Sequence, residues 1–306
     1  MPCIRLMSGR KIMDRKTIFG RFVTAMVLVA MSLAGGSALA GGLLDVEFED
    51  ATFSTPLVID NPYWPLNPDA TSRTFAYIGE TEDECVIDLV SVTAATHVMT
   101  TTDAASPYYL FTALEVKDTE WVFEDVDDCD LSLPLDPSAI KEETLDWYAQ
   151  DDQGNIWYLG EASESFEDEC GPYPGFGDPE CLEGSWEAGT IGGEDDDEVL
   201  GEAGIVVPSD EPIDGEPLAN GAYYMQEVAF EAEDMAKILK QHISLSVEDE
   251  DYENCRKVKE WNPFEHGSSV EHKWYCADGP GLVLIEGIGG GPTEQEILVD
   301  VDPALP

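Results

Sequence analysis

The sequence has few basic residues. Its 306 residues include 15 Lys and Arg against 64 Asp and Glu, and the formal net charge is −49. Proteins hold nucleic acids and anionic membrane surfaces by replacing counterions with Lys and Arg side chains. The composition therefore excludes nucleic acid and anionic membrane surfaces as partners of the chain as a whole.

The short motifs of common catalytic and zinc sites are also missing. The sequence contains no C-x₂-C pair, no H-E-x-x-H helix, no G-x-S-x-G elbow and no Walker loop. Ser185 lies between small residues in "EGSWEAG" but lacks the second glycine of the elbow, which favours a structural role. No catalytic residue is assigned, and whether the protein is an enzyme stays open.

Long hydrophobic runs are absent beyond the N-terminal region. Six basic residues in the first 21 positions precede the apolar run 22–34 and the small-x-small pattern Ser37-Ala38-Leu39-Ala40. This pattern is typical of a secretory signal peptide, here residues 1–40, cleaved after Ala40. A start at Met13 also gives a signal of ordinary length. We therefore predict an exported protein, periplasmic or extracellular, without a membrane span.

The acidic excess grows beyond the signal peptide, where nine basic residues face 63 acidic ones. Such self-repulsion is relieved by salt, and this favours adaptation to a saline environment. The alternative is that the carboxylates collect hard cations, with Ca²⁺ as the candidate. No other cofactor is indicated.

A folded core is nevertheless expected, because seven Trp, eleven Tyr and eleven Phe supply the apolar area that a disordered acidic chain lacks. Six cysteines follow the signal peptide, and an even number in an exported chain predicts disulfides. Sequence proximity suggests the pairs Cys85–Cys129, Cys170–Cys181 and Cys255–Cys276. The last is favoured because a hairpin turning near residue 265 sets its two cysteines opposite each other.

The stretch "DWYAQDDQGNIWYLGE" at 146–161 predicts a β-hairpin. Its β-prone runs 144–150 and 155–159 flank Asp151-Asp152-Gln153-Gly154, in which glycine supplies the positive φ of the turn. The spacing of an EF-hand calcium loop is absent there. Further β-prone runs follow along the chain, and the fold class predicted is mainly β.

Four parts are expected. Residues 1–40 form the signal peptide and 41–60 a flexible acidic lead. A single β-rich domain covers 61–287, with a loop insertion at about 162–221 that is rich in Gly, Pro and acids. A C-terminal tail occupies 288–306.

Three segments resemble a group of exported bacterial proteins. They are "NPYWPLNPDATSRTFAY" (61–77), "ETLDWYAQDDQGNIWYLGE" (143–161) and "KEWNPFEHGSSVEHKWYCADGPGLVLIE" (259–286), in which a D-W-Y-A-Q-D-x-x-G-N-[IV]-W-Y-x-G-E hairpin precedes a V-E-H-K-x-Y-x-x-G-x-G-L-V ending. The resemblance implies one large curved antiparallel sheet, a half barrel like that of lipoprotein carriers, with long acidic loops. It implies no activity, and it does not extend to the cysteines.

Two sets of residues are candidates for binding. The aromatic residues Trp147, Trp157, Tyr158, Trp261 and Trp274 either line a cleft for an apolar ligand or belong to the core. Glu265, His266, Glu271 and His272, on the two arms of a hairpin, either converge on a metal ion or are ordinary strand residues. The leading hypothesis is a binding module for an apolar small molecule or a protein partner. The alternatives are a carboxylate-rich cation-binding or structural surface protein and an extracellular hydrolase.

Overall fold

The computed structural model describes residues 41–302 except 45, 56, 67–72, 81–83, 124–128, 167–183, 193–197, 211–217, 231–232, 264–269 and 289–294. The predicted signal peptide lies outside the described residues. Residues 39–306 form one compact unit.

Strands dominate the described part of the chain, together with two 3-10 helices at Phe48–Asp50 and Pro137–Ala139. The strands are β1 (Arg73–Glu80), β2 (Cys85–Val98), β3 (Thr112–Phe123), β4 (Ile140–Gln150), β5 (Ile156–Ser165), β6 (Trp186–Glu187), β7 (Ile191–Gly192), β8 (Val199–Leu200), β9 (Glu202–Val207), β10 (Tyr223–Met225), β11 (Glu227–Val228), β12 (Met235–Val247), β13 (Glu250–Trp261), β14 (Val270–Cys276), β15 (Gly281–Gly287) and β16 (Gln295–Val301). The predicted fold class, mainly β with one large antiparallel sheet, is confirmed.

The sheet is nearly closed into a barrel. Its strand order is β10-β12-β13-β14-β15-β16-β1-β2-β3-β4-β5-β9-β11, with β6 attached to β5. The two end strands are consecutive in the chain, since β10 pairs with β12 and β11 pairs with β9. The single segment 223–228 therefore brings both ends of the sheet together, which removes most of the open edge that a half barrel would expose.

Strand alternation decides what the barrel encloses. On β4, Glu142, Thr144, Asp146 and Tyr148 line the interior, and the residues between them face outward. Because successive side chains of a strand point to opposite faces, one strand supplies both a polar interior and an outer apolar layer. The interior of this barrel consequently contains carboxylates as well as apolar side chains.

The hairpin predicted at 146–161 is confirmed. Strands β4 and β5 pair across a turn in which the Gly154 N–H donates to the Asp151 carbonyl at 2.9 Å, and Gly154 has φ +91°. The buried Asp151 carboxylate accepts from the Asn155 backbone N–H and from Trp157 Nε1 at 2.8 and 2.9 Å. This aspartate therefore fixes the turn by hydrogen bonding.

The described residues of the expected acidic lead, 41–60, pack against the barrel. Phe48 is buried and stacks on Tyr108 with ring centroids 4.8 Å apart, and it also meets the edge of Trp157 at 5.3 Å. Ile59 is fully buried. Acidic composition suggested a solvated lead, but the apolar residues between the acids find a place on the barrel and hold the segment there.

Two other boundaries also need correction. Strand β16 lies within the expected C-terminal tail 288–306, and it pairs with β15 on one side and β1 on the other. Within the expected insertion at 162–221, β9 pairs with both β5 and β11. Both segments contain runs of β-branched residues, and the unpaired edges beside them supply the hydrogen bonds that local composition does not reveal.

Two of the predicted disulfides are present. Cys85 is bonded to Cys129, and Cys255 on β13 is bonded to Cys276, its direct partner on β14, with Cα atoms 4.0 Å apart. Cys170 and Cys181 lie outside the described residues. Disulfides of this kind are compatible with an exported protein. In the described residues, no helix has both the length and the apolar character that a membrane crossing requires.

Candidate functional site

The barrel encloses a cavity of about 400 Å³ whose lining is strongly acidic. Among the described residues that line it, Lys273 is the single basic one. Nine acidic residues line it: Asp88, Asp118, Glu120, Glu142, Asp146, Glu161, Glu227, Asp234 and Glu260. Aromatic rings complete the lining, from Trp64, Tyr77, Tyr148, Tyr158 and Tyr275. A volume of this size accommodates a small organic molecule.

Strand register places most of these acids in rows across β2 to β5. In the first row Asp88 lies opposite Glu120, which lies opposite Glu142. A second row, two residues further along β4, pairs Asp118 with Thr144. Like charges directly opposite each other on neighbouring strands are destabilising, so this arrangement has a cost for the empty protein.

A third row, again two residues further along β4, pairs Asp146 with Glu161. Tyr158 and Glu161 both line the cavity although three positions separate them, because the pairing of β4 and β5 shifts register between Trp147 and Tyr148. Gly160, at φ +135°, occupies this bulge, and a Cβ there would collide with the Trp186 carbonyl oxygen. The bulge therefore sets a tyrosine hydroxyl beside two carboxyl groups.

Tyr158 connects the carboxyl groups of the third row. Its Oη lies 2.7 Å from Asp146 Oδ1 and 2.5 Å from Glu161 Oε2. A phenol has a single hydrogen to donate. One of the two contacts is therefore best satisfied when the carboxyl group carries the proton and donates it to the tyrosine oxygen.

Burial and mutual repulsion favour the protonated form of four carboxyl groups of the empty cavity. Burial first, then neighbouring carboxylates, raises the pKa of Asp88 and of Asp146 well above the usual range. The same causes raise the pKa of Glu161 to about 7 and that of Glu227 to about 8. In addition, Asp88 Oδ1 is buried without a hydrogen-bond partner. A cation in the cavity would offset the negative charge of these groups when they are ionised.

Aromatic rings close the deeper end of the cavity. Tyr148 is stacked on Tyr158 with ring centroids 5.0 Å apart, and Trp64 meets Tyr148 edge-on at 5.0 Å. Exposure falls along β4 from Glu142, which is exposed, to Tyr148, which is 7 % exposed. The acidic rows thus lead from solvent toward an aromatic wall, and aromatic faces attract cations.

The opposite wall holds the single lysine. Lys273 Nζ lies 2.8 Å from Glu260 Oε2 and 3.6 Å from Glu271 Oε2. Burial alone would lower the pKa of Lys273, but these two carboxylates outweigh it and raise the pKa well above its usual value. Lys273 therefore stays charged and neutralises Glu260, which lies on β13, outside the rows on β2 to β5.

Of the five aromatic candidates, only Tyr158 lines the cavity. Trp147 faces outward and stacks on His97 with centroids 3.8 Å apart, and Trp157 is a core residue bonded to Asp151. Trp261 and Trp274 lie half-buried on the outer face of β13 and β14, under Lys259 and Lys257. The hypothesis of one aromatic ligand cleft built from all five residues is wrong, because alternation sends them to different faces.

The proposed metal cluster is not assembled by the two members that are described. Glu271 and His272 are consecutive on β14 and point to opposite faces. Glu271 contacts Lys273, and His272 Nδ1 lies 3.8 Å from Glu286 Oε2 on the outer face. Glu265 and His266 lie outside the described residues. Across the described part of the chain, no three His, Cys, Asp or Glu side chains are grouped closely enough to hold one metal ion.

Sequence reasoning missed the acidic rows, although a signal for them exists. In "KEETLDWY" (141–148) the polar residues Glu142, Thr144 and Asp146 occupy alternate positions on one face, and in "KDTE" (117–120) Asp118 and Glu120 are two positions apart on β3. With 64 acids in the chain, such alternation had no diagnostic value by itself. Only the closed sheet shows that this face is the interior.

The fold and cavity define a class, namely a disulfide-linked antiparallel β-barrel-like protein with an acidic, aromatic-walled interior. Comparison with known proteins adds no relative, since no family model, curated protein or solved structure matches the chain.

Proposed function

We propose that this is an exported binding protein that takes up a small organic cation in its interior cavity. The observation that carries the proposal is the lining itself, in which nine acidic side chains and one lysine surround about 400 Å³ beside an aromatic wall. An ammonium group placed there would relieve repulsion between the rows and contact aromatic faces.

The chemistry of the lining favours a cation over the apolar ligand that aromatic content suggested. Filling the cavity with an apolar molecule would remove water from carboxylates such as Asp146 and Glu161 without replacing its hydrogen bonds. The acids are also spread over β2, β3, β4 and β5 rather than gathered around one point. An extended organic cation matches such a spread better than a single Ca²⁺ ion does.

Export is part of the proposal. It is supported by the signal-peptide pattern at 1–40, by the two disulfides and by the resemblance to exported bacterial proteins. Residues 41–306 would then be the part that works outside the cytoplasm.

The experiment is calorimetric titration with butylamine, calcium chloride and oleate at neutral pH, using the chain that begins at Gly41. We expect butylamine to bind and the Asp146→Asn variant to weaken it by roughly tenfold, since a charge-assisted hydrogen bond is lost. Binding of oleate with no response to butylamine would overturn the proposal in favour of an apolar ligand. Binding of calcium alone would overturn it in favour of a metal site.

A second candidate is glycoside hydrolysis, because Asp146 and Glu161 form a deep carboxyl pair around one hydroxyl. Its test is release of nitrophenol from a panel of nitrophenyl glycosides. Turnover that disappears in Asp146→Asn and in Glu161→Gln would establish hydrolysis, and its absence across the panel would remove this candidate.

A further inference from the structure

We infer that the organic cation is a linear polyamine, whose successive amines lie along the three acidic rows of the cavity. This inference rests on the proposed function and adds to it the shape of the ligand. It comes from the strand register, which fixes where the negative charges lie.

The rows are evenly spaced along β4. Glu142, Thr144 and Asp146 mark the first, second and third rows, and the neighbouring strands add Glu120, Asp118 and Glu161 at the same levels. Two residues of an antiparallel strand span about 6.8 Å, so the three rows extend over roughly 14 Å. The negative charge therefore forms a track rather than a point.

A linear polyamine has the matching pattern of charge. Its protonated amines are separated by short methylene chains of roughly 5 to 6 Å by ordinary bond lengths. The methylene groups need apolar surface beside the charged groups, and Val90 on β2 and Val116, which lies opposite Asp146 on β3, both line the cavity. A compact cation, by contrast, would neutralise one row and leave the others uncompensated.

The two ends of the track differ, and this predicts an orientation. Glu142 in the first row is exposed, whereas Asp146 in the third row is 8 % exposed and lies next to the Tyr148–Tyr158 stack. One terminal amine would reach the third row and the aromatic wall, and the other end of the chain would lie near solvent beside Glu142, at the exposed end of the first row. Asp88, with its unpartnered buried oxygen, lies at the buried end of that row, opposite Tyr77.

The test compares spermidine with butylamine by calorimetry on three variants at fixed ionic strength. Glu161→Gln removes a carboxylate from the deep row and is expected to weaken both ligands by roughly tenfold. Glu142→Gln removes one from the outer row and is expected to weaken spermidine several-fold and butylamine by a smaller factor, because butylamine has only one amine to place. Glu115→Gln is the matched control, because Glu115 lies on the outer face of β3 and carries the same charge.

Each outcome decides the inference. Spermidine binding at least tenfold tighter than butylamine, with the variant pattern above, supports the track. Equal affinity for the two amines would overturn the track and leave the proposed function intact. Equal weakening by Glu115→Gln and Glu142→Gln would show that spermidine binds the acidic surface, and this also overturns the track. Failure of both amines to bind would instead remove the proposed function.

Discussion

Two regions of one β-sheet in this protein are rich in charged residues of opposite sign. Inside the barrel, β2 to β5 present the acidic rows, whereas the outer face of β12 and β13 carries Lys237, Lys257 and Lys259. Lys237 lies opposite Lys259, and Lys259 lies opposite His272 on β14. In a chain with so few basic residues, a cluster of lysines outside and carboxylates inside is the reverse of the usual arrangement.

Electrostatic interactions are stronger in the interior of the barrel than on its solvated outer face. Outside, Lys257 Nζ bonds Glu286 Oε2 at 2.9 Å, and Lys257 and Lys259 lie over the rings of Trp274 and Trp261, all in contact with water. Inside, nine acidic side chains and one lysine line a cavity in which burial raises the pKa of Asp88, Asp146, Glu161 and Glu227. Removing a charge from the outer face should therefore change the free energy of unfolding only slightly, whereas removing one from the interior should change it substantially.

The largest expected effect compares an interior cation with an exterior one. Arg256 is fully buried, donates to the Pro208 carbonyl at 2.7 Å and to Asp210 at 2.6 Å, and lies 4.0 Å over the Tyr63 ring. Arg256→Ala should lower the free energy of unfolding by about 3 kcal/mol, because the packing of a fully buried side chain, its hydrogen bond to the Pro208 carbonyl and its ion pair with the exposed Asp210 are lost together.

The matched change outside is Lys259→Ala, which should cost about 0.5 kcal/mol or less. Both values are measured by urea unfolding followed by tryptophan fluorescence. Similar decreases in the free energy of unfolding for the two variants would contradict the expected difference between interior and exterior charges.

The next effect is a pH dependence that originates in the cavity. The pKa of Glu161 is raised to about 7 and that of Glu227 to about 8, so the folded protein holds more protons than the unfolded chain above the ordinary glutamate pKa. Their contribution to stability is complete below that ordinary pKa and is lost as pH rises through about 7 to 8.

The empty protein should therefore be more stable near pH 5 than near pH 8, as measured by thermal unfolding at constant ionic strength. The variant Glu161→Gln/Glu227→Gln should show a flatter profile and a higher melting temperature at pH 8. An unchanged slope in the variant would mean that the cavity acids are not the groups that titrate.

A smaller effect is expected from salt. Because the net charge is −49, screening should raise the melting temperature as sodium chloride increases toward molar concentration. If the interior acids contribute to this repulsion, saturating spermidine should reduce the salt dependence. A flat or falling melting temperature would contradict the prediction.

The smallest effect belongs to the outer ion pair. Glu286 accepts from Lys257 and from Trp274 Nε1, and although burial opposes it, these donors lower the pKa of Glu286. Glu286→Gln should cost about 0.5 kcal/mol or less and leave amine binding unchanged. A loss comparable with that of Arg256→Ala would show that the outer face is as sensitive as the interior.

Local features of the fold were predictable because they depend on neighbouring residues. The hairpin at 146–161 follows from two β-prone runs and the positive φ of Gly154, and the Cys255–Cys276 bridge follows from the register of one hairpin. The burial of Phe48 and the pairing of β16 were not predictable, since both depend on partners far away in the chain.

Only the residue types of the site, carboxylates and aromatic rings, were predictable. Carboxylates as possible cation ligands follow from composition, and Tyr158 was among the aromatic candidates. The grouping of Asp146, Glu161 and Tyr158 depends on the bulge at Gly160, and a shift of one residue would send these side chains outward.

The acidic charge follows from the composition, and the β-rich character and the local pairings follow from alternation and turn chemistry, which depend on nearby residues. Which face of the sheet forms the interior depends on the tertiary structure. Closure of the sheet through residues 223–228 joins strands from both halves of the chain, and it turns an alternating pattern of acids into a desolvated cavity.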